Sequence, residues 1–239
     1  MSVMLECKSL SVRFDGLAAL SDVTFRVQEG DLFGVIGPNG AGKTTLFNVI
    51  SGTLRPTSGE VYFQGRRISG LAPGRICRLG IAGTFQPVRP FASLSVFENV
   101  LVGACFGRDR RGASKDSERH AHEALRFVGL ESKADRIAQD LTPAEKKRLE
   151  IARALATDPQ VILLDEVLSG LTQVETTEIL ALVRRIQDKG ITAMLIEHVM
   201  RVVMELCGTV LVLHHGARLA QGTPQEVMNN PEVIEAYLG

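Results

Sequence analysis

Apolar residues follow two rhythms along this chain, and the order of those rhythms lays out its elements. From about Leu5 to Val27 they alternate with polar residues and the run reverses at Asp15-Gly16, as half-buried antiparallel strands joined by a tight turn do. Leu32-Phe33-Gly34-Val35-Ile36 is continuously apolar instead, the pattern of a strand covered on both faces. Thr45-Leu46-Phe47-Asn48-Val49-Ile50-Ser51 then places apolar side chains at helical spacing and stops at Gly52. A further strand is read near Glu60-Val61-Tyr62-Phe63.

From roughly Pro87 to Thr157 the texture turns helical. Ser95 ahead of Val96-Phe97-Glu98-Asn99-Val100 reads as a helix start, and Glu118 to Val128 as a helix stopped by Gly129. Val161-Ile162-Leu163-Leu164 is a second doubly buried strand. A helix with Ile179, Leu182, Val183 and Ile186 on one face follows, ended by Gly190, and then a strand from Ala193 to Ile196. Strands alternating with helices predict an α/β fold around a parallel sheet. The expected organisation is one domain of two lobes. Residues 1–86 and 158–215 form the core, 87–157 an inserted helical lobe, and 216–239 a C-terminal tail.

Composition narrows the classes of function. Formal net charge is zero, which argues against a nucleic-acid binder relying on a basic field. No apolar stretch approaches the roughly 18 residues of a spanning helix, and Met1-Ser2-Val3-Met4-Leu5-Glu6 lacks a basic-then-apolar signal pattern. The four cysteines, Cys7, Cys77, Cys105 and Cys207, are scattered without a CxxC pair and are expected as reduced thiols. His214-His215 are expected on opposite faces of a strand, in structural roles. Arg108 to Lys115 reads as a solvated polar loop, with contact to anionic lipid as the alternative.

Between the first buried strand and its helix lies Gly37-Pro38-Asn39-Gly40-Ala41-Gly42-Lys43-Thr44, a full match to G-x-x-x-x-G-K-[ST]. Glycines let backbone N–H groups converge on an anion, and the start of the following helix adds a favourable field. Lys43 is expected to reach the β- and γ-phosphates of a nucleotide, and Thr44 to ligate magnesium through its hydroxyl. The plain alternative is a glycine-rich turn with no ligand. Asp165-Glu166 stand at the end of the second buried strand, where ligands of parallel sheets gather. Asp165 suits a water-mediated contact to that magnesium, and Glu166 a base that polarises water towards the γ-phosphate.

These two motifs, in this order, resemble the nucleotide-binding subunits of ABC transporters, and the likeness covers essentially the whole chain. Gln86 in Gly83-Thr84-Phe85-Gln86 stands where that family has its Q-loop glutamine; the resemblance implies contact with magnesium and sensing of the membrane partner. His198 in Ile196-Glu197-His198 stands in the place of the switch histidine, and Ser169-Gly170-Leu171-Thr172 matches the D-loop by position. Phe14 is placed where an aromatic stacks on adenine, and Thr45 continues the phosphate-binding loop. The resemblance implies a P-loop NTPase (RecA-like) core with an antiparallel β subdomain and an inserted α-helical subdomain. It implies ATP and Mg2+ as ligands, catalysis by Lys43, Glu166 and His198, transmembrane permease subunits and a second ATPase subunit as partners, and a place on the cytoplasmic face of the inner membrane.

The signature segment departs from the family, whose members usually carry Leu-Ser-Gly-Gly-Gln before a helix. Here the register falls on Leu141-Thr142-Pro143-Ala144-Glu145, with the flank Lys146-Lys147-Arg148-Leu149-Glu150-Ile151-Ala152-Arg153 still similar. Thr142 keeps a hydroxyl for a phosphate held by the opposite subunit, but Pro143 has no N–H to donate. The same letters also spell a capping box, with Thr142 as N-cap, Pro143 at the first helical position and Glu145 three residues on. Val167 is a second departure, since a proline commonly follows the catalytic glutamate in the family.

Three stretches are similar to branched-chain amino acid import ATPases of bacteria. They are Thr84 to Arg89 with Leu94 to Asn99, Ile196 to Met200, and the tail Gln221-Gly222-Thr223-Pro224 to Gly239. That resemblance implies a periplasmic solute-binding protein as an indirect partner. Urea or amide import, lipopolysaccharide export, an ATPase working without a membrane partner, and a weakly hydrolysing regulatory subunit of a heterodimer are the alternatives.

Overall fold

The structure, a computed structural model, describes residues 2–84, 90–108, 112, 114–197 and 199–238. In chain order the elements are β1 (Val3–Phe14), β2 (Leu17–Gln28), β3 (Leu32–Ile36), α1 (Lys43–Ile50), β4 (Ser58–Phe63), β5 (Arg66–Arg67), α2 (Pro73–Leu79) and β6 (Ile81–Gly83). Next come α3 (Val96–Phe106), α4 (Lys115–Val128), α5 (Pro143–Leu155), β7 (Val161–Asp165) and α6 (Gln173–Asp188). The last are β8 (Thr192–Ile196), α7 (Met200–Leu206), β9 (Thr209–His214), β10 (Ala217–Gly222), α8 (Pro224–Met228) and α9 (Pro231–Leu238). They divide into two compact units, residues 1–73 with 187–239, and residues 74–186.

In the first unit β1 and β2 form the expected hairpin across Asp15-Gly16, and β4 pairs with β1 on its other side, antiparallel throughout. Leu5, Cys7, Leu10 and Val12 of β1 are buried with Leu20, Val23, Phe25 and Val27 of β2. Two irregularities in the β1–β2 register are closed by side chains: the Ser9 N–H donates to Thr24 Oγ1 (2.8 Å) and the Asp22 N–H to Ser11 Oγ (3.0 Å). These hydroxyls take the place of ladder partners that the bulged backbone gives up.

β3 pairs in parallel with β8 on one side and β9 on the other. All five residues of β3 and of β8 are buried, which is why neither segment alternates in sequence. β10 adds to β9 antiparallel. Phe25 of β2 and Phe33 of β3 stack with ring centroids 5.5 Å apart, so the two sheets of this unit share an aromatic contact.

The second unit holds the helices read between 87 and 157. α3 starts at Ser95, whose Oγ accepts from the Glu98 N–H (3.1 Å) while Glu98 Oε2 accepts from the Ser95 N–H (2.7 Å). α4 begins after Ser114 and ends at Gly129, with Ala121, Leu125 and Val128 buried. α3, α4 and α5 pack on one another. β6 pairs in parallel with β7 through Ile81 with Val161 and Gly83 with Leu163. α6 buries the four apolar residues read from its periodicity, Ile179, Leu182, Val183 and Ile186.

One expectation fails. His214 and His215 do not face opposite sides; their rings lie together, with centroids 4.1 Å apart. β9 ends at His214, and His215 takes a left-handed backbone with φ 47°. Strand alternation does not reach past the strand's last residue. Among the described residues no group of three or more His, Cys, Asp and Glu could hold a metal ion, and no helix is long and apolar enough to cross a membrane.

Candidate functional site

The glycine-rich loop joins the end of β3 to the start of α1 in the first unit. Two of its three glycines are fixed by what lies beside them. A Cβ on Gly37, at φ 150°, would fall 2.1 Å from the Leu213 carbonyl oxygen. A Cβ on Gly42, at φ 100°, would fall 2.5 Å from the Ala19 oxygen and 2.8 Å from Leu20 Cδ2. The loop is thus wedged between β9 and β2 at these two positions, where only glycine fits. Ala41, buried, donates its N–H to Pro38 (3.1 Å) and accepts from Gly216 (3.2 Å). Asn39 and Gly40 are exposed.

Lys43 is 94 % out of reach of solvent, being 6 % exposed. Its Nζ donates to the carbonyls of Gly37 (2.7 Å) and Pro38 (2.9 Å), which arches the loop over its own ammonium group. Gly42 caps α1 without any side-chain hydrogen bond, and the first turn carries no acidic residue. That turn therefore offers its N–H groups and its positive field to an anion. Thr44 is exposed and Thr45 half-buried in this turn. The structure places Gly37, Pro38, Asn39, Gly40, Ala41, Gly42, Lys43, Thr44 and Thr45 on this one turn from β3 into α1.

Phe14, also in this unit, ends β1 with 47 % of its surface exposed beside Leu17, which is 74 % exposed. An aromatic ring left open to water at a strand end has a face to offer a planar ligand. Tyr237 of α9 was not anticipated: the Gly37 backbone hydrogen-bonds its phenol, whose pKa burial nevertheless pushes up to about 12.

The acidic residues belong to the second unit. Asp165 closes β7 and is buried, 8 % exposed. Its N–H donates to Thr84 Oγ1 (3.0 Å), and the Thr84 N–H donates to the Leu163 oxygen (2.9 Å). β6 stops at Gly83, so the Thr84 hydroxyl supplies the acceptor that the next rung would have provided. Glu166 follows with φ 46°, a left-handed backbone unusual for a residue with a Cβ. Its carbonyl accepts from Lys147 Nζ of α5 (2.7 Å) and from the Ser169 N–H (3.2 Å). The D-loop stretch Ser169-Gly170 is exposed, and Thr172 then caps α6 through Glu175.

Thr142 caps α5. Its Oγ1 accepts from the Glu145 N–H (3.3 Å), while Glu145 Oε2 accepts from the Thr142 N–H (2.9 Å), with Pro143 at the first position. The capping box read from the sequence is formed. Burial raises the Glu145 carboxyl, but contact with Lys133 and the Thr142 N–H outweigh it and hold the pKa below its ordinary value. Gln86 and His198 lie outside the described residues.

A lysine-bearing phosphate loop on one strand-to-helix turn and, in the other unit, an aspartate–glutamate pair at the end of a buried strand are the parts of a P-loop NTPase. The ABC transporter family profile matches residues 20–169, more than half of the chain, and the branched-chain amino acid ATP-binding cassette transporter profile matches residues 217–239. The chain belongs to the ABC transporter family. It is 40 % identical to the high-affinity branched-chain amino acid transport ATP-binding protein BraF of Pseudomonas aeruginosa, over 99 % of this chain and 98 % of that one. It is 37 % identical to LivG of Escherichia coli K12, a protein of the same description, over the same shares. Among solved structures it is similar to MJ1267, an ATP-binding cassette of an ABC transporter in its ADP conformation, with TM-score 0.91, 31 % identity and 100 % of both chains covered. It is also similar to the dimeric ATP-binding cassette MJ0796 bound to ADP and Pi, with TM-score 0.84, 26 % identity, and 92 % of this chain and 99 % of that one covered.

Proposed function

We propose that this chain is the subunit that hydrolyses ATP to drive import of branched-chain or related small amino acids across the bacterial inner membrane. Two relatives, covered to 98 % of their length, are described as high-affinity branched-chain amino acid transport ATP-binding proteins, and the tail from 217 to 239 matches a branched-chain amino acid ATP-binding cassette transporter profile. The observation that carries the reading is the loop at 37–44, arched over Lys43 and leading into a helix start with no side-chain cap. An anion with several oxygens can take over the Lys43 ammonium from the two carbonyls it now holds, while the first-turn N–H groups turn to the same phosphates. The adenine would stack on Phe14.

The Thr44 hydroxyl and Asp165 carboxylate are hard oxygen donors, which suits Mg2+. With Gln86 they would hold it, and the ion would neutralise charge on the β- and γ-phosphates. Glu166 would orient the attacking water and accept its proton, and His198 would stabilise the γ-phosphate charge. Since the γ-phosphate is present only before hydrolysis, two such subunits would close around ATP and reopen after it is cut. The permease subunits, a second ATPase subunit and, through them, a periplasmic binding protein are the partners of this cycle. The chain would work peripherally at the cytoplasmic face.

In proteoliposomes holding the assembled transporter, leucine uptake should require ATP, and Glu166→Gln should lower ATPase at least ~100-fold. Equal rates in the two complexes would remove Glu166 as the base. A second reading has its own support. With Thr142 engaged in its own helix and Pro143 lacking an N–H, the composite site completed by this segment would turn over slowly, and a companion subunit would carry most of the hydrolysis.

A further inference from the structure

Glu166 combines a role that demands precision with a backbone that resists it. Its φ of 46° lies in the left-handed region, a conformation that costs a side-chain-bearing residue energy and persists only where the surroundings hold it. Val167, the next residue, lacks the ring that would fix its φ. What holds Glu166 is visible at its carbonyl, which accepts from the ammonium of Lys147 at 2.7 Å and from the Ser169 N–H at 3.2 Å. A hydrogen bond from a charged donor is among the stronger ones available to a carbonyl. Val167 and Leu168, both buried, fix the chain on the other side.

Lys147 comes from the second turn of α5, the helix that Thr142 and Glu145 cap. Lys147 is half-buried, and its hydrogen bond to the Glu166 carbonyl lies partly out of water. One side chain therefore ties the helix of the divergent signature segment to the backbone of Glu166, the residue just past the end of β7. Arg148, its neighbour, is committed elsewhere, to Glu178 and to the Val128 carbonyl.

We propose that Lys147 is a positioning residue for hydrolysis, holding the left-handed backbone of Glu166 so that its carboxylate meets the attacking water. This rests on the reading of Glu166 as the base. In this scheme Lys147 acts on the reaction through the Glu166 carbonyl.

The test uses the assembled transporter. Lys147→Met keeps the stem and loses the donor; it should lower kcat about tenfold with KM for ATP unchanged, since the interaction serves the transition state and not binding. Lys147→Arg should recover most of the rate. Single-turnover measurements should show no further loss when Lys147→Met is added to Glu166→Gln, because the carboxylate being positioned is already gone. Unfolding midpoints of both Lys147 variants should stay near wild type. An unchanged kcat in Lys147→Met overturns the proposal, as does a fall matched by lost stability, a rise in KM alone, or full additivity with Glu166→Gln. If Glu166→Gln itself runs at the wild-type rate, the assignment of the base fails first and this proposal falls with it.

Discussion

Thr84→Val removes one hydroxyl from a place where it completes a strand, and the cost can be worked out from its neighbours. Thr84 is 7 % exposed, and its Oγ1 accepts the Asp165 N–H at 3.0 Å. Its own donation to the Leu163 carbonyl, at 3.5 Å, is too long to contribute much, and that carbonyl already receives the Thr84 N–H. Valine has the same shape, so the packing of the γ-methyl persists and the change isolates one interaction. A buried N–H left without an acceptor costs roughly 1–3 kcal/mol. Urea unfolding of Thr84→Val should therefore lose about 2 kcal/mol at constant m, whereas Thr84→Ser, which keeps the acceptor and drops a buried methyl, should lose only about 1 kcal/mol. If the backbone instead shifts to find another acceptor, Asp165 moves with it. The loss then appears in nucleotide binding, at about tenfold for each 1.4 kcal/mol. Isothermal titration with ATP and Mg2+ reads that route. A valine variant indistinguishable from wild type in both stability and affinity would refute the claim that the hydroxyl finishes the ladder.

Three further outcomes follow from the geometry. Gly42→Ala forces a Cβ to 2.5 Å from a backbone oxygen whereas Gly40→Ala meets nothing within 4 Å, so a thermal-shift assay should show Gly42→Ala badly destabilised. Gly40→Ala should lose only the ~1–2 kcal/mol of a left-handed alanine. The Glu145 carboxyl is held below its ordinary pKa of 4.5; a lowered folded pKa gives stability that is present above the ordinary value and lost as pH falls through the folded one. Urea midpoints should thus decline below about pH 4.5, and Glu145→Gln should flatten that decline. Restoring Ser-Gly-Gly-Gln at 142–145 should raise ATPase in the assembled transporter, and an unchanged rate would sink the account of a slow site.

How much of this could be read beforehand varied with the physics involved. Doubly buried strands such as β3 and β7 announce themselves, because cover on both faces favours a near-continuous apolar run. The phosphate loop was legible for a related reason: glycines wedged against Leu213 and Ala19 oxygens are needed wherever such a loop is built. The capping box at Thr142 was visible from Thr142, Pro143 and Glu145, because its partners lie three residues apart. Thr84, Lys147 and Tyr237 went unremarked because their roles depend on partners distant in sequence. Thr84 stood within a motif quoted for its glutamine, yet nothing local says its hydroxyl meets Asp165. The pairing of His214 with His215 was misjudged because the strand's last residue cannot be located to one position from alternation alone.

β3 carries a lesson about synthesis. Both of its ladder partners, β8 and β9, begin only at Thr192 and Thr209. On the ribosome, Leu32 to Ile36 therefore waits as a bare, greasy ribbon until nearly the whole message has been translated. Contacts so far apart in sequence form slowly, and exposed ribbons of that kind are prone to stick to one another. A nascent chain arrested before residue 192 should accordingly be a client of chaperones, with its phosphate cradle still unmade.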